Sequence, residues 1–172
     1  MLANFGGEYE RYKIIGERAL AQIPDEALNQ MPYAEGNSAA LIVRHLSGNF
    51  RSRFTDFLTT DGEKPWRDRE AEFAKVEYDR QQMNELWAQG WEVLFNTLKT
   101  LSEADLSAQV TIRGVPLNVH EALCRSLAHV ALHVGQLIIL ARIYHQGEWQ
   151  SLSIPKGGSA RYNANPTLEK RP

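Results

Sequence analysis

His129 and His133 stand four residues apart in the stretch RSLAHVALHVGQLIILAR. On a helix that spacing puts the imidazoles about 40° apart around the axis and about 6 Å along it. Two rings so placed can converge on one ion through metal–nitrogen bonds of about 2.0–2.1 Å. The same spacing also suits two histidines on a partly exposed helix face. His45 adds an imidazole from a distant segment, on a seam with Leu41, Asn49 and Phe57 beside an apolar stripe. An inward histidine there needs a partner, because an unpaired buried polar group costs about 1–3 kcal/mol. A carbonyl or hydroxyl could serve. So could a cation shared with His129 and His133, since helical bundles build metal sites from side chains on facing helices.

Three neutral imidazoles leave the charge of a divalent ion uncompensated and one coordination position open. That arrangement belongs to catalytic zinc, whereas structural zinc is closed by protein ligands. Two chemistries follow. Water bound to the ion loses a proton near neutral pH and becomes a hydrolytic nucleophile. Alternatively, a low-molecular-weight thiol binds as thiolate and attacks an electrophilic carbon. The sequence offers no obvious general base for hydrolysis. Val130, Ala131 and Leu132 fill the space between the two histidines, so the H-E-x-x-H signature is absent. Asp56, on a continued helix, would share the azimuth of His45 but lie about 16 Å along the axis.

Asn49 lies one turn after His45, and Gln136 lies three residues after His133. Either could bond a ligand imidazole and fix its tautomer, or orient a metal-bound water; ordinary polar packing at a helix seam is the alternative. Arg53 continues the His45–Asn49 line and could meet an anionic substrate or pair with the acidic loop that follows. Tyr9 and Tyr12 could line a pocket or belong to the core. His120 falls about 180° around the helix from His129, His145 about 18 Å along from His133, and Cys124 about 140° around from His129. These three are excluded as ligands.

The elements that must position these groups are helical. Phe5, Tyr9, Tyr12, Ile15, Ala19 and Ile23 mark a helix from about Asn4 to Ile23, stopped by Pro24. Asn37 or Ser38 caps a second, running to about Thr59 and closed by Asp61-Gly62. Asp79 and Gln82 form a capping-box pattern for a third, in which Gly90 signals close packing. Asn118 and Glu121 repeat that pattern for the fourth, which runs to about Gln146. Before it, Val110-Thr-Ile and Val115-Pro-Leu flank Arg113-Gly114, which reads as a short β-hairpin or paired turn rather than a sheet. The expected fold is all-α: a four-helix bundle with long connections over residues 1–155, then a C-terminal tail over 156–172, partly flexible. The loop from Asp61 to Glu77 caps one end with a docked Trp66, or gates a substrate. Trp149, Leu152 and Ile154 could dock. Cys124, Ala128, Ala131 and Gly135 form a small-residue stripe suited to close packing within the bundle or against a second subunit.

The 172 residues are 43% hydrophobic, enough to bury a core, and 23% charged with a formal net charge of -2. That balance lacks the bulk electrostatics of a nucleic-acid binder. The basic residues Lys156, Arg161, Lys170 and Arg171 are expected to be solvated. The lone Cys124 excludes an intrachain disulfide or a Cys-rich zinc site. The longest apolar stretch, Val130 to Ala141, is interrupted by His133, Gly135 and Gln136 and falls short of the roughly 18 residues that span a bilayer. A cytoplasmic protein with no membrane or nucleic-acid partner is the expectation.

A histidine in the second helix followed by H-x-x-x-H in the last resembles the DinB/YfiT-like superfamily of metal-binding four-helix proteins. The stretches VRHLSGNFRSRFTDFLTTDGEKPWRDREAEF, VTIRG, RSLAHVALHVGQLIILAR and WQSLSIPKGGS resemble a DinB-like branch whose members are mostly of unknown function. The resemblance implies His45, His129 and His133 as ligands of a divalent ion, zinc or nickel, and a homodimer. Relatives in the superfamily include S-transferases and isomerases that use a low-molecular-weight thiol as cosubstrate. The function this implies is transfer of such a thiol to a small electrophile, with metal-dependent hydrolysis as the second chemistry and a non-catalytic metal-binding bundle as the competing class.

Overall fold

The computed structural model describes residues 1–75 and 77–167. The chain is mostly helical, with one small antiparallel sheet. Its helices are α1 (Leu2–Leu20), α2 (Ala39–Phe54), α3 (Arg69–Glu72), α4 (Arg80–Thr100), α5 (Val119–Tyr144) and α6 (Ser159–Ala164). Short 3-10 turns cover Asp25–Ala27 and Glu103–Ser107. Strands β1 (Gln109–Ile112) and β2 (Val115–Asn118) pair directly before α5.

Local chemistry accounts for most helix starts. Ser38 accepts a hydrogen bond from the Leu41 amide and opens α2. Asp79 with Gln82, and Asn118 with Glu121, form complete capping boxes at α4 and α5. The helix ends differ more from expectation. Helix α1 stops at Leu20, and the Arg80 guanidinium donates to the carbonyls of Leu20 and Ile23 beyond its last turn. Helix α2 stops at Phe54, five residues short of the expected Thr59. The Phe54 carbonyl accepts from the Thr97 hydroxyl of α4, and Asp56 turns to φ 48° while its carbonyl takes the Thr59 and Thr60 amides. These side-chain and turn bonds offer the backbone an alternative to further helix. Asp56 is therefore not on α2 at all.

Asp61 and Gly62 do not cap α2. Asp61 instead ties the α2–α3 connection to the hairpin. Its carboxylate accepts from the amides of Glu63, Arg113 and Gly114 at 2.6–2.8 Å, and the Gly62 amide donates to Thr111 O. These bonds hold the Asp61 carboxyl well below the usual range. The hairpin it grips is a true two-stranded sheet in register Gln109↔Asn118 to Ile112↔Val115, rather than a bare paired turn. Arg113 and Gly114 both have positive φ, 58° and 72°, as a two-residue turn between twisted strands requires.

Helix α2 packs chiefly on α4, and α1 on α5, with a smaller contact between α2 and α5. The core gathers Tyr9, Ile42, Leu46, Phe50, Trp91, Leu94, Leu123 and Leu137, each almost fully buried. Tyr9 lies edge-on to Trp91 and donates its hydroxyl proton to Leu123 O, so it is a core residue. Tyr12 packs against the same core. Trp66 is 55% exposed, under the Arg51 guanidinium, rather than docked as a cap. Leu152 is buried, with Trp149 partly buried beside the core. Of the basic tail residues, Lys170 and Arg171 lie outside the described residues.

By length and composition alone α5 is apolar enough to cross a membrane. Averaging over a long window absorbs His133, Gly135 and Gln136, which had broken the shorter run. A core helix passes the same test. Here the inward face carries Leu123, Val130, Val134 and Leu137 into the core.

Helices α2 and α4 approach closely at Gly90, where a Cβ would lie 2.8 Å from the Ser47 Cα. A backbone atom cannot step aside as a side chain can. Gly90→Ala is expected to cost about 1–3 kcal/mol by overpacking, despite the better helix propensity of alanine. Urea unfolding checks this: the midpoint falls while the slope is unchanged.

Candidate metal centre

The small α2–α5 contact is where the imidazoles meet. His45 projects from α2, His129 and His133 from α5. His45 and His133 are buried and His129 is partly buried. Nε2 of His129 lies 3.1 Å from Nε2 of His45 and 3.1 Å from Nε2 of His133. One ligand nitrogen from each ring lies within 4.8 Å of the other two. Tetrahedral angles and metal–nitrogen bonds of 2.0–2.1 Å put ligand nitrogens about 3.3–3.4 Å apart. Both His129 separations are within a few tenths of an ångström of that geometry, and the third is no more than 4.8 Å.

Proton bookkeeping makes the same point. His45 Nδ1–H donates to Glu72 Oε2 at 2.9 Å. His133 Nδ1–H donates to Gln136 Oε1 at 2.8 Å. In their neutral forms both rings therefore turn a lone pair on Nε2 toward His129. One Nε2–H on His129 can satisfy only one of them at a time. A cation satisfies all three nitrogens at once. Burial, then the neighbouring imidazoles, depress His129 to about 3. Burial also lowers His133, against the opposing Gln136 bond. Both rings are thus neutral, the ligand-competent form, at physiological pH.

Glu72 is the orienting group the sequence reading missed. It ends α3, which Asp68 caps by accepting from the Ala71 amide. Its carboxylate takes His45 on one side and a bidentate Arg67 guanidinium on the other, at 2.7 and 2.8 Å. Arg67 is itself 2% exposed and donates a further bond to Ser52 Oγ. Burial pushes the Glu72 carboxyl up, but the Arg67 and His45 bonds outweigh it and hold it below its ordinary value. A carboxylate behind a ligating histidine fixes the tautomer and raises ligand basicity. Gly48, one turn from His45, makes room for it: a Cβ there would lie 2.2 Å from Glu72 Oε1. A glycine inside an amphipathic helix, three residues from an inward histidine, was the available signal that another segment approaches closely. The approaching segment itself carried no periodicity to announce it.

A cavity of about 360 Å³ opens beside His45 and His129. Asn49 lines it, with no hydrogen bond to the cluster among the described residues. Arg53 also lines it, paired with Glu63 at 3.2 Å, as the acidic-loop alternative anticipated. Among the excluded residues, Cys124 is exposed beside His120, and His145 lies against Trp149.

Fold and site together define a mostly helical protein whose three clustered histidines could hold a metal ion. The chain belongs to the family described as a protein of unknown function, DUF1572, whose model matches residues 2–158 and so spans all three histidines and Glu72. No curated protein matches it.

Two outcomes test the role of Glu72. Gly48→Ala displaces the carboxylate and is expected to weaken binding of Zn²⁺ about 10–100-fold, measured by competition with a chromophoric chelator. In the metal-free protein, Glu72→Gln removes a carboxylate whose folded value lies below its ordinary 4.5. Such a group stabilises the fold above its unfolded value, and that contribution is lost as pH falls through the depressed folded one. Chemical denaturation across pH should therefore show the wild-type advantage over Glu72→Gln largest above about pH 4.5 and shrinking below it.

Proposed function

We propose that His45, His129 and His133 hold one divalent cation, zinc or nickel, inside a four-helix bundle of the DinB/YfiT-like type, and that the protein is a metal-dependent enzyme transferring a low-molecular-weight thiol to a small electrophile. The observation that carries this reading is the convergence of the three Nε2 atoms beside a cavity. Helices α1, α2, α4 and α5 supply the bundle, with the α2–α5 contact as the seam that holds the site.

When bound, the ion would lower the pKa of a thiol and hold it as thiolate. The protein's part is to keep the three imidazoles neutral, to orient His45 through Glu72 and His133 through Gln136, and to leave one side of the site facing the cavity. A closed structural site would need a fourth protein donor. Glu72 does not supply one, since it lies behind His45, on Nδ1 rather than Nε2. The same placement argues against Glu72 as a general base for hydrolysis, because both its oxygens are committed to Arg67 and His45. A thiol whose proton is displaced by the cation needs no such base. Asn49 on the cavity wall is placed to position the bound substrate rather than to tune a ligand. The homodimer that the resemblance implies has an apolar surface available on α5, where Leu132, Ile139 and Ile143 are more than half exposed.

Elemental analysis of protein purified without a histidine tag should return one zinc or nickel per chain, and His45→Ala or His129→Ala should reduce it at least tenfold. In Co²⁺-loaded protein, adding glutathione or cysteine should produce a sulfur-to-cobalt charge-transfer band in the near ultraviolet. Metal-dependent alkylation of the same thiol by monobromobimane, lost in His129→Ala, is the expected activity. Stoichiometric metal without the charge-transfer band would leave a metal-binding protein and end the thiol assignment.

A further inference from the structure

The cavity beside the histidines has an unequal charge balance. Arg53, Arg67, Arg69, Arg113 and Arg125 all contribute to its wall, and no carboxylate does. The carboxylates that pair with four of them are not among the lining residues. Glu72 takes Arg67, Glu63 serves both Arg53 and Arg113, and Glu70, itself 90% exposed, reaches Arg69 at 3.3 Å. Arg125 has no hydrogen-bond or ion-pair partner among the described residues. It stands one turn before His129 on α5, about 6 Å along the axis, on the face that looks into the cavity. Arg113 spends Nε on Glu63 and is otherwise half exposed. Apolar side chains also line it, Phe54 at the end of α2, Phe57 from the connection after it, Ile112 from β1 and Ala122 from α5, beside the polar Asn49 and Ser126.

An unanswered guanidinium presents a planar fork of donors that matches an oxyanion. Mutual repulsion among the arginines falls when an anion enters, and the low-dielectric aromatic wall strengthens the attraction. We propose that the cavity binds a small molecule with an oxyanion, carboxylate or phosphate, on a compact apolar body. Arg125 grips the oxyanion, with Arg113 beside it, and the reactive end lies at the histidine cluster. The position of that reactive end rests on the metal-centre reading; the oxyanion site rests on the wall alone. Arg125 is the specificity-determining residue of the pair, because Arg113 also holds the hairpin to Glu63.

Isothermal titration of metal-loaded protein with phenyl phosphate, benzoate and neutral benzyl alcohol tests this. One anion should bind saturably at one per chain, with benzyl alcohol at least tenfold weaker. Whichever of phenyl phosphate and benzoate binds more tightly identifies the oxyanion. Arg125→Gln should weaken that anion at least tenfold with metal content unchanged, and Arg125→Lys should recover part of the loss. The same Arg125→Gln ratio should persist in protein stripped of metal by a chelator, which separates this site from direct anion binding to the ion. Equal binding of benzyl alcohol, or an Arg125→Gln variant that binds the anion as wild type does, would overturn the proposal while leaving the metal centre intact. A wild-type protein without metal but with Arg125-dependent anion binding would sink the metal reading and keep this one.

Discussion

Two imidazole nitrogens, each 3.1 Å from the same Nε2 of His129, cannot both be satisfied by it. His45 and His133 donate their Nδ1–H to Glu72 and Gln136, so each neutral ring presents an Nε2 lone pair to His129. Lone pairs facing across a hydrogen-bond distance repel unless a proton or a cation lies between them. The fold keeps this frustrated contact because the backbone on both sides is fixed by much larger apolar contacts. Natural proteins break local rules of this kind at functional sites and offset the cost elsewhere.

The scaffold tolerates the cluster by anchoring α2 and α5 independently. Helix α2 lies hard against α4 at Gly90 and Ser47, and α5 lies along α1 through Tyr9 and its bond to Leu123 O. The two anchored pairs share the central aromatic group of Tyr9, Phe50 and Trp91. Where α2 and α5 face each other, the contact is smaller, and polar and aromatic side chains replace the aliphatic core. Phe73 covers one face of the His45 ring at 4.8 Å, sheltering the Glu72 bond from water.

The connection between α2 and α3 links the cluster to the hairpin. Asp61 grips the β1–β2 turn, Glu63 holds Arg53 and Arg113, and Arg67 with Glu72 reaches inward to His45. One connecting segment thus closes the cavity wall and orients a cluster histidine. The ion pairs along it are partly or fully shielded from solvent, which is where such pairs matter most.

Much of this was legible in the residues. Capping boxes at Asp79 and Asn118, the Arg113-Gly114 turn and the four-residue spacing of His129 and His133 are local signals, set by bonds within one or two turns of chain. The approach of His45 to that pair could be proposed because apolar periodicity says which helix face is inward. Only the tertiary structure decided that α2 ends at Phe54, since the hydroxyl that takes its carbonyl comes from Thr97, far along the chain. The same holds for Glu72 and Arg67, whose segment has no periodicity, and for the cavity whose arginines come from α2, the connection, α3, the hairpin and α5. Short-range hydrogen bonding and hydrophobic spacing are written into sequence neighbours. Charge partners across 27 residues, and a cavity walled by several segments, exist only once packing has brought them together.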